Sequence, residues 1–236
     1  MAVAVASLVS GEHRMTDRRL LNICFHGIGT PAGELELGED GYWISVDEFH
    51  RILDEIMTWP RVEISFDDGN ASDAQIALAA LEQRNLTARF FILAGRFGAA
   101  GSLTEVDVRE LRRRGMTIGT HGMDHQSWRG MTPSIRDREL VEARHRIADA
   151  AGGPIDEAAV PLGRYDRRLL ADLRGLGYTA VHTSDRRAAR VGSWIQPRFS
   201  VRRGDTAQTL RDDVLTESSL IQTALLAGKG VVKRLR

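Results

Sequence analysis

The stretch Ile64-Ser-Phe-Asp-Asp-Gly-Asn70 joins a short apolar segment to two adjacent carboxylates and a glycine. An amphipathic stretch, residues 71–84, follows it, and a second apolar segment spans residues 88–93. A strand followed by a helix and another strand is the repeating unit of a parallel α/β sheet. This stretch therefore indicates a fold class and also a place for chemistry, because functional groups gather at the carboxyl ends of parallel strands.

The same alternation continues in both directions along the chain. We predict seven strands, at residues 21–25, 62–66, 88–93, 117–119, 158–161, 179–182 and 195–201. We predict helices at residues 46–58, 71–84, 104–114, 134–151, 167–176 and 206–226. The pattern predicts an α/β fold, but its periodicity does not distinguish an open doubly wound sheet from a closed barrel.

Length and composition limit the possible classes of protein. The 236 residues contain no repeat and no linker, which predicts a single domain over residues 20–236 behind an N-terminal extension, residues 1–19. The 32 basic and 32 acidic side chains balance, which argues against a nucleic-acid partner bound mainly through phosphates. No apolar run is long enough to span a bilayer, and the first residues lack the basic segment of a signal peptide, so we expect a cytoplasmic protein.

Asp67 and Asp68 follow directly on a predicted strand. Adjacent carboxylates repel each other unless they share a cation or a proton, so the pair favours a metal site or a general base with a raised pKa. The alternative is that one of the two acids caps the helix that begins near residue 71.

A second strand end reads Ile118-Gly-Thr-His-Gly-Met-Asp-His125 and places two histidines four residues apart. The flanking glycines favour a tight loop in which His121 and His125 converge. Two imidazoles and one carboxylate leave coordination positions open, as in catalytic rather than structural metal sites. Purely structural histidines are the alternative.

A third strand end reads Ala158-Ala-Val-Pro-Leu-Gly-Arg-Tyr165. Because Pro161 has no N–H and Gly163 permits close approach, the amide of Leu162 is the natural donor to a developing oxyanion. A plain strand-to-helix turn would have the same residues.

In this order and spacing, the three segments resemble the polysaccharide deacetylases that carry the NodB homology domain, over roughly residues 20–201. Residues 65–69 match the first motif of that family, and His121 and His125 match the second, although Gly122 stands where Ser or Thr is usual. The resemblance implies an irregular (β/α)7-type barrel. It also implies a metal-dependent hydrolase that removes N-acetyl groups from an amino sugar in an oligo- or polysaccharide or its precursor.

The resemblance implies roles for individual residues. Asp68, His121 and His125 would hold a divalent metal, with zinc as the expected ion and other transition metals as alternatives. Asp67 would be the general base, and the Leu162 amide would stabilise the oxyanion.

Two residues of the family pattern are missing. Ala159 replaces the arginine that holds the base, and Arg198 is the candidate substitute, against a surface or bracing role. The late histidine that serves as general acid is also absent. His26, at the end of the first strand, would neighbour the last strand in a closed barrel and could replace it, against a buried histidine bonded to backbone; His182 is the weaker candidate.

Several residues are expected near an N-acetylated sugar. We group Arg198, Tyr165 and Trp128 as substrate-binding, with Tyr42, Trp43 and Trp194 as further aromatic faces, although single aromatic residues more often serve packing. The acidic, glycine-rich residues 33–43 form a candidate lid.

Two rival functions stay open from sequence. The same groups would serve an amidase or deacylase acting on a small non-carbohydrate amide, and a catalytically impaired barrel would only bind glycans. If His26 and Arg198 face the metal cleft, an enzyme is favoured over a binding protein.

Overall fold

Nine strands form one strongly curved sheet in the computed structural model, which describes residues 19–215. The strands are β1 Arg19–Phe25, β2 Val62–Asp68, β3 Ala88–Ile92, β4 Thr117–Thr120, β5 Glu157–Ala159, β6 Ala180–Thr183, β7 Ala189–Arg190, β8 Ile195–Pro197 and β9 Phe199–Ser200. The helices are α1 Val46–Ile56, α2 Leu78–Glu82, α3 Glu105–Arg113, α4 Pro133–Asp137, α5 Ala143–Ala151, α6 Arg167–Gly175 and α7 Ala207–Leu215.

The sheet closes on itself through its last strand. Strands follow the order β7-β1-β2-β3-β4-β5-β6-β8, and β9 pairs with β1. Apart from β7, which runs antiparallel to β1, the pairings are parallel. The single predicted strand 195–201 is thus two short strands separated by Arg198. The first, β8, pairs with β6, and the second, β9, pairs with β1. The structure confirms the predicted barrel, in a nearly closed form.

Alternation of side chains along the strands decides which residues face the site. Phe25, Phe66 and Phe90 lie side by side on neighbouring strands, with ring centroids 5.4 Å and 4.8 Å apart. They pack toward helix α1, where Phe49 meets Phe25 edge-on at 5.1 Å. Because successive strand residues point to opposite faces, Asp67 points into the barrel, away from the helix layer.

Two predicted helices contain a wider turn. The stretch 71–84 includes a π-helical turn at Asp73–Ala77, and the stretch 134–151 includes another at Arg138–Glu142. Such turns are frequent near functional sites. Each one carries a fully buried acid, Asp73 in the first and Glu139 in the second.

Three predictions from sequence concern residues beyond the described part of the chain. Residues 1–18 of the N-terminal extension and the part of the predicted helix 206–226 that follows α7 lie outside it. The division into an extension and one domain over residues 20–236 stays a prediction. Among residues 19–215, no helix has both the length and the apolar character that a membrane crossing requires.

Helix α3 begins with a capping box. The Thr104 hydroxyl accepts a hydrogen bond from the Asp107 amide, and the Asp107 carboxylate accepts one from the Thr104 amide at 2.8 Å. We expect Thr104→Ala to lower the free energy of unfolding by about 1 kcal/mol, the usual loss for such a cap. Urea denaturation would measure this, with the exposed Val106→Ala of the same helix as the control expected to change little. Equal effects of the two substitutions would contradict the capping role.

Candidate active site

A cavity of about 370 Å³ opens at the carboxyl ends of the strands. Parallel strands place the residues that follow them at one edge of the barrel, so distant segments of sequence meet there. The residues singled out from sequence that line this cavity include His26, Tyr42, Asp67, Asp68, His121, His125, Leu162 and Arg198.

Asp68, His121 and His125 converge on one point. The Asp68 Oδ1 atom lies 3.5 Å from His121 Nε2 and 3.6 Å from His125 Nε2. Asp68 is buried, and its Oδ1 has no hydrogen-bond partner. A bare buried carboxylate oxygen is costly unless a cation or a proton satisfies it. An oxygen and two imidazole nitrogens within 4.8 Å of one another fit a divalent cation.

Hydrogen bonds on the far side of each imidazole fix its tautomer. His121 Nδ1 lies 2.9 Å from the carbonyl oxygen of Ala159, which can only accept, so Nδ1 carries the proton. His125 Nδ1 lies 2.7 Å from Glu36 Oε2, which orients this ring in the same sense. Burial also lowers the pKa of His121 and so favours its neutral form. Both rings therefore present an Nε2 lone pair toward Asp68.

Arg198 makes a bidentate ion pair with Asp67. The guanidinium donates to the two carboxylate oxygens at 2.6 and 2.7 Å and to the Ser65 hydroxyl at 3.0 Å. Burial by itself would raise the pKa of Asp67, but the charge and hydrogen bonds of Arg198, together with the nearby imidazoles of His121 and His26, outweigh burial and hold the pKa well below its usual range. Of the two alternatives that the adjacent acids offered, a metal site or a base with a raised pKa, the second does not hold for Asp67, because Arg198 contacts it from the break between β8 and β9.

His26 lies in the cavity beside Asp67. Its ring packs on Tyr42 with centroids 4.6 Å apart, and a ring nitrogen lies within 4.8 Å of an Asp67 oxygen. The Nδ1 atom is buried without a hydrogen-bond partner, unlike a histidine bonded to backbone. The closed barrel thus brings the first and last strands together at the site, as the sequence-based hypothesis for His26 requires.

Leu162 occupies a strained turn at the rim. It lies in the 3-10 turn Pro161–Gly163 with φ 57° and ψ 8°, an uncommon conformation for a residue with a side chain. Gly163 itself has a positive φ of 60°, and a Cβ there would lie 2.1 Å from the Ser184 hydroxyl, so glycine is favoured at this position. Whether the Leu162 amide serves an oxyanion stays a prediction.

Three predictions of substrate contact need correction. Trp128 is 1% exposed and donates to Glu139, and Tyr165 is 2% exposed and donates to Asp185 at 2.7 Å. Neither lines the cavity, because both pack in the core beneath it. Arg198 is also buried, and its guanidinium donates hydrogen bonds to Asp67 rather than to a ligand.

Of the other aromatic residues proposed from sequence, Tyr42 lines the cavity, whereas Trp43 and Trp194 do not. His182, the weaker candidate for general acid, lines a different cavity, at the opposite end of the barrel. Its Nε2 lies 2.9 Å from Glu157, and burial lowers the pKa of His182 to about 4.

Two acids at the site were missed from sequence. Glu36 contacts His125 across 89 residues of sequence, and Glu139 accepts hydrogen bonds from the Met123 and Asp124 amides that precede His125. Glu36 belongs to residues 33–43, where the acidic composition signalled a lid but no ligand contact. Glu139 belongs to an ordinary amphipathic pattern and gave no signal.

Known proteins match this chain over much of its length. The family model described as polysaccharide deacetylase matches residues 56–181, more than half of the chain. YxkH, a proposed polysaccharide deacetylase of Bacillus subtilis (strain 168), is 27% identical over 128 residues, which are 54% of this chain and 46% of YxkH. The chain therefore matches less than half the length of this relative.

Solved structures share the fold at low sequence identity. The deacetylase PplD of Streptococcus pyogenes in complex with acetate has a TM-score of 0.72 and 18% identity, covering 83% of this chain and 98% of PplD. BC0361, a polysaccharide deacetylase from Bacillus cereus, has a TM-score of 0.73 and 13% identity, covering 83% of this chain and 69% of BC0361.

Proposed function

This chain belongs to the polysaccharide deacetylase family, and on that premise we propose that it is a metal-dependent hydrolase that removes N-acetyl groups from an amino sugar. The amino sugar would be part of an oligo- or polysaccharide or of its precursor. The observation that carries the proposal is the pairing of two features in one cavity: a buried carboxylate held by a guanidinium, Asp67 with Arg198, beside the convergent Asp68, His121 and His125.

Asp68, His121 and His125 would hold the divalent cation, with zinc as the expected ion. When bound, such a cation lowers the pKa of water and polarises an acyl oxygen. The net negative charge of the surrounding side chains favours a bound cation. Asp67, Asp68, Glu36 and Glu39 face two guanidinium groups, those of Arg96 and Arg198, so the six side chains leave two formal negative charges.

Asp67 would act as the general base toward the attacking water. The two hydrogen bonds from Arg198 fix the carboxylate plane, and the lowered pKa of Asp67 keeps it ionised at neutral pH, the form that a general base requires. His26, with a ring nitrogen within 4.8 Å of an Asp67 oxygen, would donate a proton to the departing amine. The Leu162 amide would donate to the oxyanion at the rim.

Two observations favour this function over its rivals. His26 and Arg198 both line the cavity, which favours an enzyme over a barrel that only binds glycans. Tyr42 lines the cavity beside His26, and an aromatic side chain there is of the kind that packs against sugar rings, which favours a sugar over a small amide.

The test is acetate release from N-acetylated sugars, chito-oligosaccharides and small acetamides, before and after removal of metal with a chelator. We expect release from a sugar substrate that falls to background after chelation and returns when zinc or another divalent transition metal is added. Release from small acetamides alone would favour the amidase. No release from any substrate by protein that binds one metal ion would contradict a hydrolase.

A further inference from the structure

We propose that Glu36 is a positioning residue through which the acidic loop, residues 33–43, and the metal site stabilise each other. The inference rests on the proposed function, since it requires a cation held by Asp68, His121 and His125. It assigns the loop a role beyond covering the cavity: the loop supplies the group that aims one of the three ligands.

The contact between Glu36 and His125 is direct and specific. Glu36 Oε2 accepts a hydrogen bond from His125 Nδ1 at 2.7 Å, which leaves Nε2 free to face Asp68. A carboxylate behind a ligand histidine fixes the ring and raises its basicity, and removal of such partners typically weakens metal binding. His125 has a left-handed backbone, with φ 50°, so its orientation depends on surrounding contacts.

Arg96 fixes the Glu36 carboxylate from the other side. This arginine ends the 3-10 turn Ala94–Arg96 after β3 and donates to Glu36 Oε1 at 2.6 Å and to Glu39 Oε1 at 3.0 Å. Glu39 is buried, and its second oxygen accepts the Glu36 amide at 2.7 Å. Each oxygen of Glu36 therefore has its own donor, and the acidic loop contacts both the β3 end and the His125 ring.

The two ends of the acidic loop are packed closely. A Cβ at Gly33 would come within 2.2 Å of the Ala100 carbonyl oxygen, and the Trp43 ring packs so tightly on Gly27 that a Cβ there would lie 2.0 Å away. Between these ends, the Glu36 side chain is 48% exposed, so water competes for its hydrogen bonds. The hydrogen bond from His125 to Glu36, in the middle of the loop, is thus the contact that metal binding can strengthen.

Coupling follows from the chemistry of the imidazole. With a cation at Nε2, the Nδ1–H of His125 becomes a stronger donor, and its bond to Glu36 strengthens. By thermodynamic reciprocity, a docked loop must raise metal affinity by the same factor as bound metal favours docking.

The first experiment measures zinc affinity by competition with a chromophoric chelator. Glu36→Gln keeps the shape and a hydrogen-bond acceptor but removes the charge, and we expect zinc to bind about 10–100-fold more weakly. Glu34→Gln, the same charge change at an exposed position of the same loop, is the matched control and should bind as the wild type does. Thermal unfolding of both variants without metal checks that the fold is kept.

The second experiment measures hydrogen exchange of the amides in residues 34–43 with and without zinc. We expect zinc to slow exchange in the wild type and in Glu34→Gln, and to slow it less in Glu36→Gln. Wild-type affinity in Glu36→Gln, or equal protection by zinc in all three proteins, would overturn this inference alone. Failure of the wild type to bind metal would overturn the proposed function together with it.

Discussion

Replacing Asp67 with asparagine is expected to lower kcat for acetate release by about 10²–10⁴-fold, the range that a positioned general base contributes. Asparagine has the shape of aspartate, but its amide does not accept a proton from water at neutral pH. Arg198 still has one oxygen to bond in the variant, so we expect the barrel to remain closed. Steady-state acetate release by the zinc-loaded proteins is the measurement.

Metal binding is the control for this substitution. Asp67 lies beside the proposed ligands rather than among them, so Asp67→Asn should bind one zinc ion, as the wild type does. The loss should appear in kcat more than in KM, because the base acts in the transition state. Activity within tenfold of wild type would exclude Asp67 as the base, and loss of zinc would show that Asp67 serves the metal instead.

Replacing Arg198 with methionine is expected to lower the free energy of unfolding by about 3–5 kcal/mol. The substitution leaves the Asp67 carboxylate buried without its partner, since both side chains are almost fully enclosed. The double variant Arg198→Met, Asp67→Asn removes the stranded charge and should recover much of that loss. Urea denaturation at pH 7 measures all three proteins, and a loss near 1 kcal/mol for the single variant would place this pair among ordinary surface ion pairs.

The pH dependence of stability gives this pair a second signature. In the wild type the pKa of Asp67 is held below its unfolded value of about 4, so the ion pair stabilises the fold above that pH and its contribution fades as the pH falls further. Without Arg198, burial raises the pKa of Asp67 above the unfolded value. Stability of Arg198→Met should then decrease as the pH rises from about 4 toward neutrality, the opposite slope to the wild-type contribution.

The alternation of strands and helices predicted the α/β class, and the resemblance to the polysaccharide deacetylases, rather than the periodicity, predicted the barrel and the ligand set Asp68, His121 and His125. Asp68 ends strand β2, His121 directly follows β4 and His125 lies in the loop after β4, and parallel strands bring such positions to one edge whatever the intervening sequence. Arg198 was a candidate because it lies in the last predicted strand, and His26 because a closed barrel makes its first and last strands neighbours, which the pairing of β1 with β9 bears out.

Contacts that cross between elements without a spacing rule were beyond sequence reasoning. Trp128 follows the ligand loop, and its position favoured a sugar contact, but Glu139 draws the indole inward by accepting its Nε1–H at 3.1 Å. Glu36 reaches His125 from a loop whose composition reveals nothing about its partner. These are pairings of single side chains, and no periodicity reports them.

The break between β8 and β9 also bears on how the chain selects its final fold. Arg198 sits at that break and meets a carboxylate 131 residues away, on a strand that is already paired on both sides. A slip of one residue in the closing strand would bring Pro197 or Phe199 to Asp67 and bury a bare charge, at a cost of several kcal/mol. The ion pair proposed to serve catalysis therefore also favours the correct strand register. A barrel closed in a shifted register would leave the Asp67 carboxylate buried without Arg198 and would be less stable.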